Sequence, residues 1–82
     1  MTVVRIKFFA FARDLAGCSE TNVTLTERTR VSEILDLLSV SYPALHELGP
    51  YMRIAVNCEY VHGDYQLREN DEVALIPPVS GG

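Results

Sequence analysis

The last nine residues of the chain, residues 74–82, constrain its fold more than any other stretch. They read Ala-Leu-Ile-Pro-Pro-Val-Ser-Gly-Gly. The run begins as an apolar strand, and Pro77 and Pro78 end it because neither has an N–H group to donate to a sheet. One apolar residue, one small polar residue and two glycines follow. We therefore predict that residues 77–82 form an extended tail that projects from the folded domain. The tip of this tail carries no side chains, because its last two residues are glycines.

The end of this tail is the candidate reactive group. Gly81 and Gly82 have no Cβ atoms, so a narrow channel can close around their backbone. An α-carboxyl group ordinarily has a pKa of about 3.5 and is ionised at neutral pH. A carboxylate is a poor electrophile, but it can be activated as a mixed anhydride. The competing interpretation is an ordinary frayed terminus without a function.

The length and the charge of the chain limit what it can do. Its 82 residues provide for one sheet and one or two helices over a single core, so we predict one domain over residues 1–82. Apolar residues make up 48% and charged residues 22%, a balance typical of a folded chain. The net charge is −4 and Lys7 is the only lysine, so the chain offers no basic cluster for nucleic acid.

The N-terminal stretch superficially resembles an export signal. Residues 15–18 read Leu-Ala-Gly-Cys, like a lipoprotein cleavage box. A signal peptide, however, needs about 7–15 uninterrupted apolar residues. Here the apolar run spans only residues 8–12, and Arg13 and Asp14 separate it from the cysteine. No stretch approaches transmembrane length. We therefore expect a cytosolic chain that does not associate with membranes.

The cysteines and histidines form no recognisable site. Cys18 and Cys58 are forty residues apart, without a C-x-x-C motif. Cys58 and His62 are four residues apart, but two ligands do not make a zinc site. His46 stands alone. We expect neither a disulfide, nor a redox pair, nor a metal site.

Hydrophobic periodicity predicts the secondary structure. The apolar spacing of Val31, Ile34, Leu35 and Leu38 predicts one helix over residues 31–41. Alternation predicts strands, the first with its core side chains at positions 4, 6 and 8. The predicted strands are residues 2–9, 22–26, 52–57, a short one from residue 60 to residue 61, and a last one ending at residue 76. A helical turn over residues 11–16, ended by Gly17, follows the first strand.

This order of elements predicts an α+β fold. The first two strands pair antiparallel, and if the first and last strands are neighbours they run parallel at the centre of a mixed sheet. The main helix then covers one face and leaves the other open. This architecture matches the ubiquitin-like β-grasp fold. Phe9 and Ile76 lie on the face away from the helix, and with Val79 they are predicted to form an exposed apolar docking patch. The alternative is ordinary surface apolarity.

Residues 8–17 read FFAFARDLAG, residues 55–61 read AVNCEYV and residues 70–82 read NDEVALIPPVSGG. These three segments resemble the small subunit of molybdopterin synthase, the sulfur carrier of molybdenum cofactor synthesis. Residues 8–17 resemble its FFA-x-A-R-E-x-x-G run, and residues 55–61 resemble its A-V-N-x-E-Y-V turn. Residues 70–82 resemble its ending, G-D-E-V-A-x-x-P-P-V-[ST]-G-G. The match covers the whole chain. Ile76 stands where the family often has an aromatic residue, and Asn70 stands where glycine is common.

The resemblance implies sulfur chemistry at Gly82. An activating enzyme uses ATP to adenylate the Gly82 carboxylate, and sulfur displaces AMP to leave a thiocarboxylate. The tail then enters the active site of the large synthase subunit, which converts cyclic pyranopterin monophosphate to molybdopterin and consumes two charged carriers per product. The family assembles as a heterotetramer of two small and two large subunits. The chain would then be the sulfur-carrying subunit of a sulfurtransferase, with no permanently bound cofactor.

The site residues follow from the resemblance and from the chemistry of the tail together. Gly81 and Gly82 are the predicted catalytic residues. The two prolines stiffen the base of the tail and limit the entropy lost on insertion. The predicted partner-binding residues are Phe9, Ile76, Pro77, Pro78, Val79 and Ser80. For Arg13 we favour an ion pair with a nearby acid over a contact with the partner.

Three other functions remain open at this point. A thiazole-synthesis sulfur carrier shares the fold and the Gly-Gly end, but such chains are typically shorter and lack the Pro-Pro-Val-Ser approach. A ubiquitin-like modifier would join Gly82 to lysines of target proteins, and Lys7 would be its only side-chain acceptor. A β-grasp binding module would carry an inert tail. Deletion of both terminal glycines distinguishes the binding module from the other candidates. A binding module keeps its activity without them, whereas a carrier or a modifier loses all of it.

Overall fold

A computed structural model describes residues 1–77 of the chain, except for the side chains of residues 48–50. Every predicted element is present, with ends that differ by at most two residues from those predicted. A 3-10 helix also connects the second helix to the third strand. The elements are β1 (Thr2–Phe8), α1 (Ala10–Ala16), β2 (Glu20–Leu25), α2 (Val31–Ser41), the 3-10 helix (Pro43–Tyr51), β3 (Arg53–Val56), β4 (Glu59–Tyr60) and β5 (Glu72–Ile76).

The five strands form one mixed sheet in the order β2-β1-β5-β3-β4. β1 and β5 are parallel neighbours, and the other pairs are antiparallel. A parallel pair needs a crossover connection, which the chain between β2 and β3 provides with α2. The first and last strands are thus neighbours, and they run parallel at the centre of the sheet, as the sequence analysis expected for that case.

The core lies between the sheet and α2. On β1 the alternate residues Val4, Ile6 and Phe8 are buried, and on β5 Val73 and Leu75 are fully buried. The helix contributes the stripe predicted for it, with Val31, Ile34 and Leu38 buried and Leu35 packed at the margin. The period of two on the strands and the stripe on the helix therefore define the same interior. No helix among residues 1–77 covers the opposite face of the sheet.

The start of α2 is closed by protein backbone. The N–H groups of Val31 and Ser32 donate to the carbonyl oxygens of Tyr65 and Gly63, both at 2.9 Å. The backbone N–H of Arg30 donates to the Glu33 carboxylate at 3.2 Å. An arginine side chain has no acceptor atom, so only the Glu33 half of a capping box forms.

The turn between β3 and β4 has a strained second residue. Val56 pairs with Glu59, so the loop consists of Asn57 and Cys58 alone. Both have positive φ, +51° and +70°, as a type I′ turn requires. Asparagine tolerates this region, whereas a cysteine pays for the contact of its Cβ atom with the backbone.

Replacing Cys58 by glycine is therefore expected to stabilise the protein. The gain should be about 0.5–1 kcal/mol, because relief of the left-handed strain exceeds the entropy that glycine loses on folding. Cys58→Ala keeps the Cβ atom and is the matched control. Denaturant unfolding of both variants measures the effect. An equal gain in the alanine variant would show that the thiol, and not the backbone, was the source of the cost.

A polar network joins the β3–β4 turn to the start of β5. One carboxyl oxygen of Asp71 accepts from the Asn57 amide at 2.9 Å, and the other accepts from the Arg68 N–H at 2.8 Å. The Tyr65 hydroxyl lies 3.5 Å from the second oxygen. The Asn57 amide oxygen accepts from the Glu72 N–H at 3.0 Å. Two segments that resembled family motifs separately are thus bonded to each other.

Candidate functional site

The predicted reactive end of the tail lies outside the described residues. Gly81 and Gly82, the predicted catalytic residues, belong to this part, as do the partner-binding candidates Pro78, Val79 and Ser80. Their roles stay predictions. The remaining three candidates, Phe9, Ile76 and Pro77, are described, and they surround the point where the tail begins.

The tail begins at the centre of the sheet. β5 ends at Ile76, and β1 and β3 flank it on both sides. The Phe9 N–H donates to the Leu75 carbonyl oxygen at 3.2 Å. This bond extends the hydrogen bonding between β1 and β5 to the end of β5. Pro77 follows and is buried in the isolated chain. Because β5 is held on both edges up to this point, the position from which the tail starts is rigidly defined.

Phe9 and Ile76 lie side by side on the open face. Phe8 is in register with Leu75, and both side chains enter the core, so the next pair along the strands points to the opposite face. Phe9 is 45% exposed and Ile76 is half-buried. The structure therefore places two of the predicted docking residues together, next to the start of the tail.

Charged side chains share the open face with this pair. Glu72 faces two cations, with its carboxylate 3.4 Å from Lys7 Nζ and 3.7 Å from an Arg5 guanidinium nitrogen. The Arg53 guanidinium lies over the Tyr60 ring, 5.4 Å from its centroid. These side chains are all partly or fully exposed, so their ion pairs contribute little to stability.

A shallow depression of about 300 Å³ lies beside Phe9, between the end of β1, α1 and the start of β2. Lys7 and Arg13 line it together with Phe9, Ser19 and Glu20. Arg13 forms no ion pair with any acid among residues 1–77, so the interpretation that it serves a structural ion pair finds no support there.

Sequence reasoning did not select Lys7 and Arg53 as site residues. The signal was available for both, because a strand period of two places Lys7 on the same face as Phe9, and Arg53 on the face opposite Ile54. What the pattern could not show is that β5 lies between β1 and β3, which brings these strands to one site.

The two cysteines and the histidines remain outside this site. Cys18 is half-buried, with its sulfur 3.9 Å from the Tyr42 hydroxyl oxygen, and Cys58 is exposed at the β3–β4 turn. Both are free thiols. Within the part of the chain that the structure describes, no three His, Cys, Asp or Glu side chains are placed to bind a metal ion. No helix in that part is long and apolar enough to cross a membrane.

The fold and the site together define a class of protein. A mixed sheet with a parallel central pair, a helix across one face and a tail that starts from the central strand is the ubiquitin-like β-grasp architecture, as predicted. The chain belongs to the ThiS family, whose model matches residues 6–82.

Individual proteins that this chain resembles belong to particular groups within this class. A Caenorhabditis elegans protein named molybdopterin synthase sulfur carrier subunit is 37% identical over 84 residues, covering 100% of both chains. The resemblance read from the three motifs is therefore confirmed. Among solved structures, a putative molybdopterin converting factor subunit 1 from Pyrococcus furiosus is 31% identical, with a TM-score of 0.87 over 96% of this chain and 100% of that one. Haloferax volcanii small archaeal modifier protein 1 is 26% identical, with a TM-score of 0.87 over 96% and 100%.

Proposed function

We propose that this chain is the sulfur carrier subunit of a molybdopterin synthase. The observation that carries the proposal is the match to the C. elegans carrier subunit over the whole length of both chains. The ending supports it, since the last strand leads through Pro77 and Pro78 to a terminal Gly-Gly. The catalytic contribution of this chain is the sulfur that it delivers, and the partner subunit supplies the pocket in which the sulfur is transferred.

The proposed chemistry takes place at the Gly82 carboxyl group in two balanced steps. First, a carboxylate oxygen attacks the α-phosphorus of ATP in an activating enzyme, which releases pyrophosphate and forms a glycyl adenylate. Hydrosulfide then attacks the carbonyl carbon, and AMP and a proton leave, so that the terminus becomes a thiocarboxylate. ATP is consumed by the activating enzyme, and this chain holds no nucleotide of its own.

The proposed partner in sulfur delivery is the large synthase subunit, in a heterotetramer of two small and two large subunits. In the pocket of that subunit the thiocarboxylate sulfur replaces an oxygen on a carbon of cyclic pyranopterin monophosphate. Water then cleaves the resulting thioester, which leaves the sulfur on the pterin and returns the Gly82 carboxylate. Two carriers are needed for each dithiolene. Glycines at the tip allow the tail to pass along a narrow channel. The rigid start of the tail limits the number of conformations that insertion removes.

An intact-mass measurement tests the proposal. The chain is incubated with the activating enzyme, ATP and a sulfur source, and its mass should rise by the difference between one sulfur and one oxygen atom. Adding the large subunit and the pyranopterin should return the mass to its starting value as molybdopterin forms. Absence of the mass gain, under conditions that charge an established carrier, would rule out the proposal.

A ubiquitin-like modifier is the second candidate, and the similarity to the Haloferax volcanii modifier protein favours it. In that case Gly82 would form an amide bond with a lysine of another protein. Lys7 is the only lysine of this chain, and its amine lies 3.4 Å from a Glu72 carboxylate oxygen on the open face. Lysine-linked polymers of this chain could therefore form through only one side-chain position. Higher-mass products that retain this chain after incubation with a cell extract, ATP and the activating enzyme would support this candidate.

Replacing Phe9 by alanine is expected to weaken binding to the large subunit by about tenfold, because the variant loses most of an apolar side chain beside the tail. Leu37→Ala is the matched control, since Leu37 is also 45% exposed but lies on α2, on the other side of the sheet. Titration calorimetry with the purified large subunit measures both. An equal loss in both variants would exclude the open face as the specific docking surface.

A further inference from the structure

We infer that the partner surface that receives the tail is acidic, and that it presents carboxylate groups to three cations around the Phe9–Ile76 pair. These cations are Lys7, Arg13 and Arg53, and we call them the cationic rim. The inference rests on the proposed function and adds the chemistry of the surface that this chain recognises.

The cationic rim surrounds the apolar pair on two sides. On the β3 side, Arg53 is in register with Ile76 in the antiparallel β3–β5 pair. On the β1 side, Lys7 precedes Phe9 by two residues and so shares its face of the strand. Arg13 projects from α1 into the depression that Lys7 and Phe9 also line. The Arg53 guanidinium lies over the Tyr60 ring on β4, so the rim flanks the point where the tail leaves β5 on two sides.

This chain neutralises the positive charge of the rim only in part, through the Lys7–Glu72 ion pair. Arg13 and Arg53 form no ion pairs among the described residues. Lys7 must share the single carboxylate of Glu72 with Arg5. Glu20 is in register with Lys7 but forms no ion pair with it. The open face therefore carries excess positive charge, although the net charge of the whole chain is −4.

Docking through the apolar pair would remove water from these cations. Removing water from a charged group costs free energy unless a group of opposite charge replaces it. A partner that covers Phe9 and Ile76 without carboxylates at its rim would leave Arg13 and Arg53 without any anionic partner. A complementary acidic surface instead steers the encounter and fixes the orientation in which the tail reaches its channel. A nucleic acid fits less well, because the remainder of the chain is acidic and repels an extended polyanion.

Charge reversal tests the inference. Binding to the large synthase subunit of the same organism is measured by titration calorimetry with Arg53→Glu and with Arg13→Glu. The control is Arg28→Glu, which makes the same change in net charge at an exposed position beyond the far end of β2. At low salt each rim variant should bind at least about tenfold more weakly than wild type, and the control should lie within about threefold.

Two further measurements separate charge from shape. Arg53→Lys keeps the charge and should retain most of the affinity for the large subunit. Arg53→Gln removes the charge and should bind the large subunit more weakly than Arg53→Lys does. The wild-type affinity should fall as salt is raised from about 50 to 300 mM, and it should fall less steeply for the rim variants. Circular dichroism establishes that each variant is folded.

The possible results distinguish this inference from the proposed function. If the chain gains sulfur and delivers it, but the rim variants bind as tightly as Arg28→Glu, only the inference is overturned. If wild type gains no sulfur and does not bind the large subunit, both fail. The rim variants could instead lose binding to single-stranded DNA or RNA while binding the large subunit normally. In that case the rim binds nucleic acid and the inference is wrong.

Discussion

Removal of Gly82 is expected to abolish sulfur loading while leaving the fold intact. The shortened chain still ends in a glycine carboxylate, at Gly81, so its intrinsic reactivity is unchanged. Its reach is shorter by about 3.5 Å, the length of one extended residue. Attack on a bound substrate requires the reacting atoms to approach within about 3–3.5 Å, so this displacement removes the carboxylate from its reactive position. The expected result is no detectable mass gain.

Stability should not change in this variant, because all the buried core residues of the described chain precede Pro77. Thermal unfolding of the two chains should give the same midpoint within error. Cys18→Ser and Cys58→Ser serve as controls for the position of the sulfur, since a carrier that uses its terminus needs neither thiol. Sulfur gain by the shortened chain, or its loss in a folded cysteine variant, would contradict the terminal-carboxylate mechanism.

Replacing Asp71 by alanine is expected to destabilise the protein by about 3 kcal/mol. Asp71 is a buried residue, 6% exposed. Its carboxylate accepts hydrogen bonds from the Asn57 amide and the Arg68 backbone N–H. Hydrogen bonds to a carboxylate contribute about 1.5–3 kcal/mol each. Because Asn57 and Arg68 are themselves exposed, water replaces part of what the two donors lose. For a domain of this size the midpoint of thermal unfolding should fall by roughly 12–24 °C.

The matched control is Asp64→Ala, which removes an exposed carboxylate from the turn before Tyr65. It should change the unfolding midpoint by no more than about 3 °C, because surface substitutions of this kind usually cost less than about 0.5 kcal/mol. Sulfur loading of the folded Asp71→Ala protein should continue, since the network lies at the start of β5 and the tail leaves from its end. Similar midpoints for the two variants would show that the network does not stabilise the β3–β4 turn.

The secondary structure and the candidate chemistry could be predicted from the sequence because both depend on local patterns. The alternation of Val4, Ile6 and Phe8 and the stripe of Val31, Ile34 and Leu38 each show a period that only one kind of element has. The two prolines end β5 wherever the strand is placed, because they lack the N–H group. The terminal Gly-Gly is a property of the covalent chain, and no folding was needed to recognise it.

The positions of the side chains around that terminus could not be predicted in the same way. Asn57 and Asp71 are fourteen residues apart, and each on its own is an ordinary turn residue. Their bond exists only because β3 and β5 are neighbours. The cationic rim likewise draws on β1, α1 and β3, and only the strand order brings Arg53 next to Ile76.

The sequence by itself thus determined the elements, the buried faces and the reactive group of this protein, since periodicity, proline chemistry and a free carboxylate act within a few residues. The tertiary structure alone decided which charges meet around the start of the tail. Contacts between distant segments depend on strand order and register, and a shift of one residue in register would turn Lys7, Phe9 and Arg53 to the other face of the sheet.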